Sequence, residues 1–341
     1  MKEVLSKLAD SHCHLEVDCN EEKAEQLVEY LNENEDLDRR SHFFHMMTTN
    51  WNDLLLLDKI LEKLSNRSVV GYVGIHPWFS HLFGEVREKP NEETKREHYC
   101  KVLVPEPSQE FLEALPMPVD INECMEKMGS LVDKYAQRGF HMGIGEIGLD
   151  KLFRLPVSGF CGNQRYEREG GERLSQMRVS VEHQLDIFIR QLHFAEQMQK
   201  QVSIHCVKAH GLLYDVVRES GTANIPAFIL HSYSGSVEQA QLWVRTFARS
   251  HQKLFFSLSN WINGADKKQE GFAALLNLLG DTQILVETDV GIDRYLLDPH
   301  RRKEYYSQLY EIFKKVCRVK RWKEENGQAQ IFLNWTNSLS C

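Results

Sequence analysis

Eight apolar runs of strand length alternate with longer amphipathic stretches along this chain, and that alternation limits its fold more than any other feature. The runs are Leu8 to His14, Phe43 to Thr48, Val69 to His76, Phe140 to Glu146, Val202 to Cys206, Ala227 to His231, Leu254 to Leu258 and Ile284 to Glu287. Between them the spacing of apolar residues predicts helices over Glu21 to Asn34, Asn52 to Leu64, Ile121 to Arg138, Ser175 to Lys200, Val237 to Ser250 and Gly271 to Leu279. Strands that are apolar on both faces suit a parallel sheet covered by helices, and strict alternation points to right-handed βαβ units. Eight such units close naturally into an α/β fold of the (β/α)8 TIM-barrel type.

A barrel of this kind needs about 250 residues, so a chain of 341 carries a surplus. It falls in two places. Ser80 to Asp120 is rich in charge and holds Pro90, Pro105, Pro107, Pro116 and Pro118, and Lys151 to Glu172 holds Pro156 and the Gly170-Gly171 pair. Both are expected as long strand-to-helix loops, either a lid or rim over the mouth or tolerated surface insertions. The chain beyond Lys320 is too short for a second domain and is expected to pack as a closing helix, leaving one barrel over residues 1–341.

Composition narrows the function class. A formal charge of -8 and a pI near 6.0 argue against a protein that wraps nucleic acid by bulk electrostatics, so any such contact must be local. The eight cysteines are scattered with no CxxC pair, as expected of thiols in a reducing compartment. The opening residues lack an apolar signal core, and no segment approaches the roughly 18 apolar residues of a membrane span, so the expectation is a cytoplasmic or nuclear protein.

Six side chains able to bind metal stand at or just beyond the carboxyl ends of these runs: His12, His14, Glu146, His205, His231 and Asp289. Each alone has a structural reading. Two histidines can be buried at a strand end, a carboxylate can cap a helix, and a lone histidine can be a core residue. Together they occupy strands one, four, five, six and eight of a barrel whose carboxyl ends meet at one mouth. His12 and His14, two apart on a strand, project to one side. Imidazole and carboxylate are the ligands that Mg²⁺, Mn²⁺ and Zn²⁺ accept, and this set suffices for two divalent ions with positions left for water and substrate.

These residues also carry a family likeness. Asp10-Ser-His-Cys-His-Leu15, Gly74-Ile-His-Pro77, Gly145-Glu-Ile-Gly-Leu-Asp150, the Gln184 to Ala195 stretch followed by Val202-Ser-Ile-His205, His231-Ser-Tyr-Ser-Gly235 and Glu287-Thr-Asp289 resemble, in this order, the motifs of the TatD family of metal-dependent hydrolases and deoxyribonucleases, within the wider amidohydrolase class. The resemblance implies a barrel, metal ligands at the six residues above, and exonuclease-like (3′-5′) hydrolysis of phosphodiester bonds in DNA. It further implies a substrate-phosphate contact for His76. On two-metal chemistry, Glu146 is expected to bridge the ions, and Asp289 to bind one of them and accept a proton from the attacking water. Trp78 would either stack on a base or pack within its turn.

The chain departs from the family at contacts outside the metal set. Family nucleases place an arginine two positions after the fifth-strand histidine, where this chain has Val207; the adjacent Lys208 could supply charge, although not a planar fork. The last motif continues Asp289-Val-Gly-Ile rather than with Ala-Pro, and the loop after Asp150 lacks the usual aromatic pair. Two other functions therefore stay open: hydrolysis of a C–N or lactone bond on the same scaffold, and a protein-interaction module that docks a partner through the long loops.

Overall fold

The computed structural model describes residues 8–33, 43–86, 91–163 and 173–339. Eight parallel strands form one sheet in chain order: β1 (Asp10–Cys13), β2 (Phe44–Met47), β3 (Val69–Val73), β4 (Met142–Asp150), β5 (Val202–Val207), β6 (Ala227–Leu230), β7 (Lys253–Ser259) and β8 (Ile284–Glu287). The sheet curls until its first and last strands meet. His14 N donates to Val290 O at 2.9 Å and Asp289 N to His12 O at 3.0 Å, with a parallel bridge between His14 and Gly291. The fold is the expected (β/α)8 barrel, and each expected strand is found, with β4 running on to Asp150.

Helices α1 (Glu21–Glu33), α2 (Trp51–Lys63), α5 (Ile121–Gln137), α6 (Val181–Met198), α7 (His210–Glu219), α8 (Val237–Phe247) and α9 (Gln269–Leu278) wrap the outside. The main core lies between them and the strands. A second apolar layer fills the barrel floor, where Tyr72, Ile229, Phe255 and Leu285 pack against Trp335 and Leu339 at the end of α12 (Glu324–Ser338), the expected closing helix. Two short or long helices precede it, α10 (Ile292–Leu296) and α11 (Arg302–Lys320). None of the described helices is long and apolar enough to cross a membrane.

The surplus segments are not simple loops. Residues 80–120 form α3 (Glu92–Val102) and α4 (Gln109–Ala114), with two-residue ladders at Phe83–Gly84 to Val119–Asp120 and Leu103–Val104 to Arg178–Val179. Tyr99, Phe111 and Leu112 from this insertion bury against Leu155 from the second and Met177 just beyond it, giving these segments a small core of their own. The second ladder also shortens the helix expected over Ser175 to Lys200: Arg178–Val179 are drawn into extended pairing, and Ser180 then caps Val181–Met198 by accepting from His183 N at 3.2 Å. The Gly170-Gly171 pair lies outside the described residues.

Two glycines set the path of β4. A Cβ on Gly74 would lie 2.7 Å from the Gly145 carbonyl carbon, so only glycine lets the end of β3 approach β4 this closely. Gly148 has φ +149°, and a Cβ there would lie 1.9 Å from His205 O. The register between β4 and β5 shifts from Ile144 to Ile147, and within that shift Glu146 N donates to Thr48 O at 3.0 Å.

Candidate metal centre

Glu146 is the hub of the barrel mouth. Its Oε2 lies 3.1 Å from Nε2 of both His12 and His14. Its Oε1 lies 2.9 Å from His205 Nδ1 and 3.5 Å from Nε2 of both His231 and His76. Asp289 closes the ring from β8, with Oδ1 3.6 Å from His14 Nε2 and 3.7 Å from His231 Nε2. The six side chains singled out from the sequence are thus brought together, and His76 joins them. Ligand-type atoms lie within 4.8 Å of one another in three groups: His12 with His231 and Asp289, His12 with His14 and Glu146, and His76 with Glu146 and His205.

The donor set fits divalent cations. His12 Nε2 and His14 Nε2 sit 3.0 Å apart, both facing one carboxylate oxygen, an arrangement in which the nitrogens share an electrophile rather than each other's lone pairs. The electrostatics ask for positive charge at the same place. Burial pushes the Glu146 carboxyl up, but His76, His12 and His231 outweigh it and hold it well below the usual range. Burial likewise opposes ionisation of Asp289, and the neighbouring imidazoles pull it down to about 2. Burial lowers His14 and His231, yet the carboxylates around them raise each to about 10. Protons satisfy this demand in the bare protein; bound cations would displace them.

A further layer aims the imidazoles. Glu287 Oε1 faces His231 Nδ1 at 2.9 Å and accepts from Ser232 Oγ at 2.6 Å, so Nε2 of His231 is turned into the centre. His12 Nδ1 pairs with Ser203 Oγ at 3.1 Å. His205 lies between Glu146 and Asp150, whose Oδ2 is 3.3 Å from its Nε2 and also accepts from Trp78 Nε1 at 2.8 Å. Asp10, buried, accepts from Thr288 Oγ1 at 2.5 Å and Tyr305 Oη at 2.7 Å and so fixes the strand end that carries Asp289. Glu287, Asp150, Ser203 and Asp10 were not picked out as site residues from sequence. For Asp10 and Glu287 the available signal was a carboxylate buried in an otherwise apolar strand, two positions from a ligand candidate and therefore on the same face.

His76 differs from the others. Its Nδ1 accepts from Trp78 N at 3.1 Å, which leaves the proton on Nε2 facing the centre. The mouth itself is a cavity of about 490 Å³ lined by His76, Trp78 and Val207 among others. Lys208 is exposed, with φ +55°, and is not part of that lining. Trp78 is held between its bond to Asp150 and a stack on Phe153, rings 4.1 Å apart at 11°.

A parallel barrel with a His-, Glu- and Asp-lined centre at its carboxyl-end mouth defines the class of barrel metallohydrolases. The family model for TatD related DNase matches residues 9–339, and the chain belongs to that family. The "Uncharacterized deoxyribonuclease YMR262W" of Saccharomyces cerevisiae is 34% identical over 354 residues, covering 96% of both chains. The "Cut9-interacting protein scn1" of Schizosaccharomyces pombe is 32% identical over 264 residues, covering 68% of this chain and 75% of that protein. Among solved structures, the TatD homologue YjjV of Escherichia coli K12 aligns with a TM-score of 0.58 at 15% identity over 98% of each chain. A TatD family hydrolase of Entamoeba histolytica aligns with a TM-score of 0.60 at 14% identity, covering 97% of this chain and 99% of that one. At such identities the structural likeness speaks for the fold.

Proposed function

We propose that this chain is a metal-dependent phosphodiesterase that trims DNA from an end, 3′ to 5′. The observation that carries the reading is the convergence of five imidazoles on one buried carboxylate, two on one oxygen of Glu146 and three on the other. That is the layout of a bridging ligand. His12, His14 and Asp289 would hold one ion, and His205 and His231 the other, with Glu146 between them. Two such ions supply a lowered pKa for the attacking water and charge compensation on the phosphoryl oxygens.

The protein's own groups do the rest. Asp289, kept anionic, takes the proton from the attacking water. His76 presents its Nε2 proton to a phosphoryl oxygen, since Val207 in place of the family arginine offers no donor. Glu287 and Asp150 keep His231 and His205 turned inward. A glutamate bridge on β4, where many amidohydrolases carry a modified lysine, favours the phosphodiester reading over cleavage of a C–N or lactone bond.

The test is elemental analysis of the purified protein together with digestion of single- and double-stranded DNA, with Mg²⁺, Mn²⁺ or Zn²⁺ and with chelator. Metal-dependent release of nucleotides from an end is expected. No cleavage with any of these ions, alongside turnover of a cyclic amide or lactone, would overturn the reading. A second role has one supporting observation: the relative of 32% identity is named for interaction with another protein, Cut9. The subdomain formed by the two insertions is the surface by which this chain would dock a partner.

A further inference from the structure

The turn after β7 is held far more firmly than a surface loop needs. Ser259 O accepts from both Asn263 N and Gly264 N, at 3.0 and 3.1 Å, and Asn263 Oδ1 accepts in turn from Ser259 N at 2.9 Å. Asn263 Nδ2 reaches across to Tyr233 O at 2.8 Å, and Ile262 N donates to Ser259 Oγ at 3.2 Å. From outside, Lys315 Nζ clamps Asn260 Oδ1 at 2.8 Å and Gly264 O at 2.7 Å. A Cβ on Gly264 would lie 2.7 Å from Asn260 Oδ1, so the turn closes on itself without room for a side chain there.

At the crest of this rigid turn stands Trp261, 60% exposed, while the next residue, Ile262, lines the metal cavity. A large apolar ring displayed to water beside a catalytic mouth costs hydration free energy, and a preordered backbone spares the entropy of fixing it on binding. The rim beside it is partly apolar, with Glu16 and Ser234 among its polar members. Val17, 48% exposed on the loop after β1, also lines the cavity, and the described lining contains neither lysine nor arginine. A nucleotide flanking the scissile bond therefore meets aromatic and aliphatic surface here rather than cations for its phosphate.

We infer that Trp261 is a specificity-determining stacking platform that takes the base of a nucleotide next to the scissile phosphodiester; this rests on the phosphodiesterase reading above. The ring offers a flat face to any base, so recognition there is of an aromatic ring and not of sequence.

The experiment compares wild type, Trp261→Ala and Trp261→Phe on a thymidylate trinucleotide and on its counterpart with abasic residues. Steady-state hydrolysis is paired with calorimetric affinities for uncleavable phosphorothioate versions. Trp261→Ala is expected to raise KM and Kd for the base-bearing trinucleotide roughly 5- to 150-fold, the equivalent of about 1–3 kcal/mol of stacking, with kcat kept. Its values for the abasic compound should match wild type, and Trp261→Phe should recover most of the loss. An equal penalty on both compounds, or none on either, overturns the inference even where DNA is cleaved. If neither trinucleotide is cleaved by any variant, the phosphodiesterase reading falls, and the affinities still decide whether Trp261 stacks on a base.

Discussion

Glu287 makes no contact with the cavity, yet its carboxylate, buried at the end of β8, decides which nitrogen of His231 faces the centre. Glu287→Gln keeps the size of the side chain and removes the charge that holds the Nδ1 proton. The expected outcome is a 10- to 100-fold loss of metal affinity, about the range for such supporting groups, read by metal titration with an unchanged circular dichroism spectrum. Asp289→Asn separates the two roles at the other end of the ring. If this carboxylate accepts the proton of the attacking water, kcat falls about 10²- to 10⁴-fold while the fold persists, and full activity in the variant would reject that role. The candidate ligands were legible in the sequence because each ends an apolar strand, and strand ends in a barrel share a mouth. Their supports were not, because a pairing such as Ser203 with His12 spans 191 residues and depends on which strands become neighbours.

Three histidines knit the first insertion to itself, to the second insertion and to α6, all as donors to backbone carbonyls. His81 Nε2 donates to Gly159 O at 3.1 Å, His98 Nε2 to His81 O at 2.8 Å and His183 Nε2 to Ser80 O at 2.9 Å. Burial pushes His81 down to about 3 and His183 down to about 4, each is pushed further by the other imidazoles, and Asp186 only partly offsets this for His183. Burial lowers His98 as well, and Lys101 adds to it. Between these values and the unfolded pKa of about 6.5 the unfolded chain binds more protons than the folded one. Their contribution to stability is therefore complete above about pH 6.5 and is lost as pH falls towards 4, by up to about 1.4 kcal/mol per pH unit for the fully buried His81. Hydrogen exchange at residues 91–120 should accelerate from pH 7 to pH 5, after correction for intrinsic rates, and His183→Gln should flatten that dependence. An unchanged protection pattern would show that the insertion is held by its apolar core alone. The helices here had a sequence signal that proline-rich composition obscured. Asn91 and Thr94 form a capping box, and Lys95, Tyr99 and Val102 recur at helical spacing on the buried face of α3.

For the molecule as a whole, the candidate ligands come together only in the folded barrel, so bound cations should stabilise it. A divalent ion at 100 times its Kd adds about 2.7 kcal/mol if it binds only the folded state. For a chain of this length that corresponds to a rise in Tm of about 4 °C, reversed by chelator. Differential scanning fluorimetry with and without each ion measures it, and ions that give no shift in wild type but cleave DNA would place the metal at a weaker site. The eight-strand order was readable from periodicity, since each unit buries its own apolar face, and the closing helix from the short length of chain left beyond Lys320. The packing of one insertion on the other was not, because the Leu103–Val104 ladder joins segments that periodicity treats as unrelated.

The barrel closes where the first and last strands exchange His14 N to Val290 O and Asp289 N to His12 O, and the same junction carries three of the candidate ligands. Synthesis must therefore pass Asp289 before the candidate ligands can be assembled in one place. For the same reason, two halves cut in a surface loop and expressed together would regain the assembled ligand set only when they reunite, so metal binding would report their complementation.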